Sequence, residues 1–291
     1  MKRLTKDKHI YTLDPKATPA ITIASGEELV VETWDAFEGL RDPRAIDEKA
    51  LKGPATGPIY VDGAMPGDAL KIDFISIKAV KEGVHLVSPG RGFLQEDFSR
   101  HHATVMPIEG GYLLFPGGIK LPLRPSVGLV ATTPPYVQNT ASDSGPYGGD
   151  IDMKELVEGS TLYMPVFVQG GLLALGDCHA VVGDGAVAGT GAETEAEIHM
   201  RVTIETGLSL KAPRALTPEY FVTLSYGEEL GPAMRQAVRD MVDFLVHEKG
   251  MKPYDAYSLL SLAGDVRVSR TFRPISPVKM MLSRRVLEQI S

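Results

Sequence analysis

The sequence predicts a mainly-β or α+β fold, and three of its features support this assignment. Short apolar runs are separated by 30 glycines and 21 prolines, which is typical of many short strands joined by turns. Two segments alternate apolar and polar residues with a period of two. Apolar residues recur at helical spacing only late in the 291-residue chain. Strands followed by helices argue against an alternating parallel α/β fold.

The expected strands are distributed over the first 224 residues. Ala69–Ile77 should place its even-numbered residues on one face and its odd-numbered residues on the other, and Ala196–Thr206 shows the same alternation more clearly. In chain order, the expected strands are Ala20–Ile23, Glu28–Thr33, Ile59–Val61, Ala69–Ile77, Gly111–Leu114, Val127–Ala131, Ser160–Val168, Gly171–Leu175, Ala196–Thr206 and Phe221–Leu224.

Helices are expected near the end of the chain. Apolar residues recur at helical spacing within Pro232–His247, and Gly250 follows as a stop signal. A second helix is expected over Tyr254–Leu262, with Pro253 suited to its first turn, and a third, short one should follow. We therefore expect residues 1–225 to form a mainly-β region that carries a metal site. Residues 226–291 should form a helical and α+β part packed on the same core.

Composition and charge narrow the classes of partner and compartment. The formal net charge of −7 disfavours nucleic acid, because phosphate binding needs a dense basic surface. The single cysteine rules out an internal disulfide and suits a reducing compartment. The first residues lack the apolar core of a signal peptide, and no apolar run approaches the ~20 residues of a membrane span. We expect a cytoplasmic protein without a membrane partner.

Basic residues are concentrated near the end of the chain, where acidic residues are sparse. A local anion site is one interpretation of this cluster. Its members are Arg267, Arg270, Arg273, Lys279, Arg284 and Arg285.

The candidate functional residues are expected between Gly176 and Glu195. An apolar run enters this stretch, and in an extended chain Asp177 and His179 project to one face while Cys178 projects to the other. A carboxylate oxygen and an imidazole nitrogen at this spacing can bind one divalent cation. Cys178 is then expected to be a small buried apolar residue and not a nucleophile.

The residues that follow allow two interpretations. Asp184 lies between two glycines that let the backbone turn tightly and present a carboxylate, and Glu193 follows a second glycine pair. Such carboxylates fit a metal or catalytic site. They equally fit a hairpin turn capped by Asp184 and a solvated strand face that carries Glu193, Glu195 and Glu197.

Taken together, these motifs resemble the acetamidase/formamidase family. The family pattern is Gly-Asp-x-His-Ala-x-x-Gly-Asp-Gly-Glu, then Gly-Thr-Ala-x-Glu. Residues 176–185 and 189–193 are similar to it, with Ala186 at the place of the first glutamate. Thr56–Leu70 is similar to a Thr-Gly-Pro segment of the family, Gly148–Asp152 to its Gly-Gly-Asn-x-Asp loop, and Thr33–Asp35 to an early Thr/Asp signature. The resemblance covers about residues 9–275.

This resemblance implies a fold of sandwich- and barrel-like β parts with a smaller α+β element, in a homodimer. It implies hydrolysis of a small linear amide to an acid and ammonia, with a divalent metal. The residues at matching positions are Asp35, Asp152, Asp177, His179, Asp184 and Glu193. Ala186, Ala188, Tyr147 and Asp150 depart from the family pattern, which leaves the substrate open.

The mechanism that we expect assigns a role to each matching residue. Asp177 and His179, with Asp35 and Asp152, are the expected ligands of a divalent ion; Zn²⁺ is the expected ion and Ca²⁺ the alternative. Glu193 is the expected base, and Asp184 a further ligand or a group that orients His179.

Three alternatives remain from the sequence. The first is hydrolysis of another carbamoyl or cyclic amide compound, and the second is a non-catalytic, metal-binding, β-rich protein. The third is a structural metal such as Ca²⁺, because the site is richer in carboxylates than in imidazoles.

Overall fold

The computed structural model describes residues 1–270 and 274–290 and contains mostly β-structure, as the sequence predicts. The strands are β1 Lys2–Leu4, β2 His9–Ile10, β3 Ile21–Ile23, β4 Glu27–Thr33, β5 Ala55–Val61, β6 Ala69–Ala79, β7 Glu82–Val87, β8 His102–Glu109, β9 Tyr112–Phe115, β10 Ile119–Pro122, β11 Ser126–Ala131, β12 Gly148–Asp150, β13 Thr161–Pro165, β14 Leu173–Val181, β15 Ala192–Glu193, β16 Ala196–Glu205, β17 Arg214–Leu216, β18 Tyr220–Gly227, β19 Gly264–Val268 and β20 Ser276–Ser283. The helices are α1 Leu230–His247, α2 Pro253–Ala263 and α3 Arg284–Leu287, with a 3-10 turn at Glu48–Ala50.

The first sheet has nine strands in the order β1-β4-β16-β6-β13-β17-β18-β20-β19. In β16 the expected alternation is confirmed from Ala196 to Val202, whose even-numbered residues are buried. In β6 the prediction holds to Phe74 and is wrong beyond it, since Ile77 is buried and Ile75 is exposed. The register against β16 shifts at this point, and a bulge of this kind reverses the faces of the residues that follow.

The second sheet has eleven strands, and β14 lies at its centre. Strand β11 pairs along one edge of β14, while β5 and β15 pair with successive parts of the other edge. Apolar side chains from both sheets form one shared core, to which β16 contributes Ile198 and Met200 and β14 contributes Leu175 and Cys178. The arrangement is a β-sandwich, and burial of this core is the main favourable term in its stability.

Helices α1 and α2 cover the other face of the nine-stranded sheet. They begin two residues and one residue before the predicted starts, and short α3 is also present. Their apolar side chains form a second core with β18 and β20, in which the rings of Phe221 and Phe244 stack at 3.9 Å. Strands β19 and β20, which the sequence analysis missed, extend the sheet after the helices.

The expected boundary at residue 225 falls inside β18. That division of the chain stays a prediction, and residues 271–273 and 291 of the expected C-terminal part lie outside the described residues. Within the part of the chain that the structure describes, no helix is long and apolar enough to cross a membrane.

Replacing Phe244 with Ala should lower the free energy of unfolding by ~3–5 kcal/mol, because the change removes a stacked ring from the second core. Urea denaturation followed by circular dichroism measures the difference. Tyr257→Ala is the control, since Tyr257 lies on α2 and is 64% exposed; its effect should stay within ~0.5 kcal/mol. Equal losses in the two variants would contradict this account of how the helices are held.

Candidate active site

Strand β14 carries Asp177 and His179 into the interior of the molecule. Strand β11 pairs Val127 with Cys178 and Leu129 with Gly176, so Gly128 lies opposite Asp177. Asp177 adopts a φ of 50°, in the left-handed region that non-glycine residues rarely occupy. Its carboxylate and the His179 imidazole lie together, as the sequence predicts.

Cys178 lies on the opposite side of β14, within the core between the sheets. Its thiol accepts a hydrogen bond from the Thr33 hydroxyl at 3.6 Å. Burial raises the pKa of Cys178 to about 12, so the thiol remains protonated at neutral pH. The expectation of a buried, apolar role for this residue is confirmed.

The chain after β12 brings Asp152 to the same place. The backbone amides of Ile151 and Asp152 both donate to the carbonyl of Gly128, at 2.9 and 3.0 Å. Asp152, like Asp177, has a positive φ, of 44°. Potential ligand atoms of Asp152, Asp177 and His179 lie within 4.8 Å of one another, and across residues 1–270 and 274–290 no other metal-ligating side chains form such a group.

Glu193 lies beside this triad on β15, directly opposite His179 in the sheet register. Its Oε1 lies 3.3 Å from His179 Nε2 and accepts a hydrogen bond of 2.8 Å from the backbone amide of Gly191. Only 2% of Glu193 is exposed. The alternative of a solvated strand face is therefore wrong for Glu193, which points into the interior.

The electrostatics of the group follow from burying several charges together. Burial, reinforced by neighbouring carboxylates, raises the pKa of Asp152 to about 6 and that of Asp177 well above its usual value. Burial alone would lower the pKa of His179, but Glu193, Asp177 and Asp152 outweigh it and raise this pKa to about 10. Burial opposes ionisation of Glu193 as well, yet His179 holds the pKa of Glu193 below its usual value.

The donors present fit a divalent cation. Asp152 Oδ1, His179 Nδ1 and Glu193 Oε2 are buried and have no hydrogen-bond partner among the described residues. Two carboxylates and an imidazole are ligands typical of Zn²⁺ and similar ions. Glycine at 128 leaves the space that they need, because a Cβ there would lie 2.5 Å from His179 Cε1 and 2.9 Å from Asp152 Oδ1.

A polar cavity of about 210 Å³ opens above these residues. The triad and Glu193 line it together with Asp150 and Arg270, and the loop between β14 and β15 supplies a wall through Ala186, Gly189, Thr190 and Gly191. The cavity can therefore admit a small polar molecule next to the triad and Glu193.

Arg270 is 1% exposed and contacts several groups of the cavity wall. Its guanidinium donates to the Asp150 carboxylate, to Ser144 Oγ at 2.7 Å and to the Ser142 carbonyl at 3.0 Å. One Nη1 also lies 3.8 Å from Asp152 Oδ2. A single buried cation thus offsets part of the negative charge of the site.

The other residues carried over from the family resemblance lie apart from the triad. Asp35 does not line the cavity; its carboxylate lies 2.7 Å from Arg41 Nη2 and accepts from the amide of Phe37 at 2.8 Å. Asp184 Oδ1 lies 2.6 Å from Lys279 Nζ, and its Oδ2 lies 2.7 Å from Lys154 Nζ.

The four residues that depart from the family pattern divide between the cavity and its surroundings. Asp150 and Ala186 line the cavity, Ala188 lies on the far side of its wall, and Tyr147 packs in a separate apolar cluster. Only the first two can therefore contact a small molecule in the cavity directly.

Sequence reasoning missed the roles of Arg270 and Lys279, although both belong to the basic cluster it noted. The expected anion site does not fit them, because both side chains are buried against carboxylates. Arg273, a third member of that cluster, lies outside the described residues. One feature of the sequence could have indicated these roles: both cations lie in a region that is poor in acidic residues. Their carboxylate partners therefore had to come from elsewhere in the chain, and they lie more than 90 positions away.

Comparisons with known proteins relate this chain to one family. The sequence model of the Acetamidase/Formamidase family matches residues 5–138 and 138–273. A formamidase from Methylophilus methylotrophus is 26% identical over 83% of this chain and 79% of its own length.

Two solved structures superpose closely on this chain. A protein from Thermoanaerobacter tengcongensis described as a predicted acetamidase/formamidase has a TM-score of 0.94 and 32% identity, covering 99% of this chain and 97% of its own. An acetamidase from Bacillus halodurans has a TM-score of 0.93 and 34% identity, covering 99% of both chains.

Replacing Gly128 with Ala should lower the affinity for Zn²⁺ at least ~10-fold, the scale of losing a contact that supports a metal ligand. The added Cβ would lie 2.4 Å from the Asp177 carbonyl and would displace His179 as well. Competition with a chromogenic chelator measures the affinity. Gly183→Ala is the matched control, because nothing lies within 4 Å of its Cβ position. Unchanged affinity in Gly128→Ala would mean that the triad does not hold the metal.

Proposed function

Because the chain belongs to the acetamidase/formamidase family, we propose that it is a metal-dependent amidohydrolase that cleaves a small linear amide to a carboxylic acid and ammonia. The observation that carries this proposal is the buried group of Asp152, Asp177 and His179, with Glu193 beside it, at the base of a small polar cavity. It combines a metal-binding set with a separate carboxylate that can transfer a proton.

The metal ligands that we propose are Asp152, Asp177 and His179. A divalent ion bound there would supply positive charge that polarises the amide carbonyl and makes a nearby water more acidic. Three ligands from the protein leave positions open, as is usual in catalytic zinc sites. Asp35 is left out of the set, since Arg41 and backbone amides occupy its carboxylate.

Glu193 is the general base in this proposal. Its carboxylate lies against His179 and keeps one oxygen, Oε2, without a hydrogen bond among the described residues. That oxygen can take a proton from the attacking water and pass it to the leaving nitrogen. The Gly191 amide donates to Oε1, which leaves Oε2 to accept the proton.

Zn²⁺ is the ion that we propose, with Ca²⁺ as the alternative. An imidazole ligand and a three-residue set favour Zn²⁺, because Ca²⁺ takes about 6–8 oxygen ligands. We also propose a cytoplasmic homodimer. A reducing compartment suits the single, buried cysteine, and exposed apolar side chains such as Phe93, Leu94 and Phe98 support an interface between subunits.

Ammonia release from a panel of small amides tests the proposed reaction directly. The purified protein is assayed as isolated, after chelation, and after Zn²⁺ or Ca²⁺ is added back. Release that depends on Zn²⁺ supports the proposal, and the best substrate identifies the acyl group. No release from any linear amide, with metal bound and the protein folded, would contradict it. Ammonia from carbamoyl compounds alone, or ring opening of a cyclic amide, which frees no ammonia and is followed by chromatography, would transfer the activity to those substrates.

Replacing His179 with Ala should remove bound metal and ammonia release together, since a three-ligand set loses its only nitrogen donor. Metal content is measured on the dialysed protein alongside turnover. His199→Ala is the control: His199 lies in the nine-stranded sheet, where it bonds Glu28 of β4, and its replacement should keep both properties. Full activity in His179→Ala would exclude the proposed ligand set.

Replacing Glu193 with Gln should leave metal bound and lower kcat by ~10²–10⁴, because the amide keeps the shape but cannot accept the proton. Metal content and steady-state kinetics are measured on the same preparation. Loss of metal in this variant would make Glu193 a ligand, and an unchanged kcat would assign the base to another residue.

A further inference from the structure

Lys279 lies fully buried in the middle of β20. Val278 and Met280, its neighbours along the strand, face the helices, whereas Lys279 lies on the same side of the sheet as Met281, which packs in the core between the sheets. The ammonium group is therefore inside the molecule, on the side where the catalytic cavity is built. Taking such a charge out of water costs several kcal/mol unless it is paired and hydrogen-bonded.

The ammonium is paired with two carboxylates at once. Lys279 Nζ donates to Glu155 Oε2 and to Asp184 Oδ1, each at 2.6 Å. Glu155 is 2% exposed and follows the proposed ligand Asp152 by three positions in the chain. Asp184 follows His179 by five positions and lies near the start of the loop that returns to Glu193. One cation thus joins the two loops on which the proposed ligands and base depend.

Backbone hydrogen bonds further restrain each of the two loops. The Gly185 amide donates to the Ser269 carbonyl at 2.8 Å, which ties the second loop to the chain before β20. The carbonyl of Leu156, next to Glu155, accepts from the Val127 amide at 3.2 Å, which ties the first loop to β11. Because these bonds restrain both loops, a displacement of either carboxylate should also move the loop residues that line the cavity.

Two other cations, Lys154 and Arg267, lie near the carboxylates that Lys279 binds. Lys154 Nζ lies 2.7 Å from Asp184, and Arg267 Nη1 lies 3.7 Å from Asp184 and 3.9 Å from Glu155. Asp184 therefore has other cations close by. Glu155 lies more than 1 Å farther from Arg267 than from Lys279, so its buried carboxylate depends mainly on Lys279.

Stability alone does not account for a lysine at this position. Apolar residues of similar volume often replace a buried ion pair with no loss of stability, whereas removing one partner is strongly destabilising. We propose that Lys279 is a positioning residue: by holding Glu155 and Asp184 together, it fixes the loop of Asp152 relative to the loop that leads to Glu193. This inference rests on the proposed function for its kinetic readout, but its effect on the metal site can be measured without turnover.

The decisive comparison uses Lys279→Met and the double variant Lys279→Met/Glu155→Gln. The single variant leaves Glu155 buried without its main counter-charge and should unfold at lower urea concentration. The double variant removes both charges and should regain stability, while Asp184 keeps Lys154. Phe244→Ala is the control for destabilisation, because it weakens the second core without touching either loop.

In the double variant, kcat for the best amide should remain ~10²-fold below wild type although stability is regained, since small displacements of reacting groups have effects of this size. Phe244→Ala should keep the wild-type kcat. Return of kcat together with stability in the double variant would overturn the proposal and leave Lys279 a purely structural role.

The Co²⁺-substituted proteins give a second readout that does not need turnover. The visible absorption of bound Co²⁺ reports ligand geometry, and displacement of Asp152 should shift this spectrum and weaken metal affinity in the double variant but not in Phe244→Ala. A spectrum and affinity equal to wild type would overturn the proposal. If wild type binds metal but releases no ammonia, the proposed function fails while this spectral comparison still decides the role of Lys279.

Discussion

The strongest electrostatic constraint on this structure is the burial of several carboxylates around one cavity. Asp150, Asp152, Asp177 and Glu193 are each at most 8% exposed and line the same cavity. At an effective dielectric of ~20, two unit charges 4 Å apart interact by about 4 kcal/mol, so these carboxylates cannot all stay ionised without nearby positive charge. His179 and Arg270 supply part of it, and the remaining deficit is what makes this group a favourable place for a divalent cation.

The fold meets this requirement with local backbone strain and close packing. Asp152 and Asp177 both occupy the left-handed region, which costs of order 1–3 kcal/mol each and persists only where the surroundings enforce it. The Gly128 carbonyl enforces it for Asp152, and the absence of a side chain at Gly128 leaves room for the carboxylate and the imidazole. The sandwich core on either side supplies the stability that offsets this strain.

Local pattern was enough to predict part of this arrangement. The two-residue spacing of Asp177 and His179 placed them together and Cys178 in the core, since strand alternation is a property of a few consecutive residues. Arg270 and Lys279 were not predictable in this way, because their partners lie on distant segments that meet only after the sheets pair. The face predicted for Ile77 was wrong for a related reason, because the bulge in β6 is visible only in the register of β6 with β16. The resemblance to the family gave the position of Asp35 but could not reveal that Arg41 contacts its carboxylate.

The central claim is that Asp152, Asp177 and His179 bind one divalent metal next to Glu193. A crystal structure of the Zn²⁺-loaded protein, with anomalous diffraction measured on both sides of the zinc absorption edge, tests it most directly. One strong anomalous peak is expected about 2.0–2.2 Å from a nitrogen of His179 and from an oxygen of each aspartate. A peak at any other site, or none in protein that contains stoichiometric zinc, would contradict it.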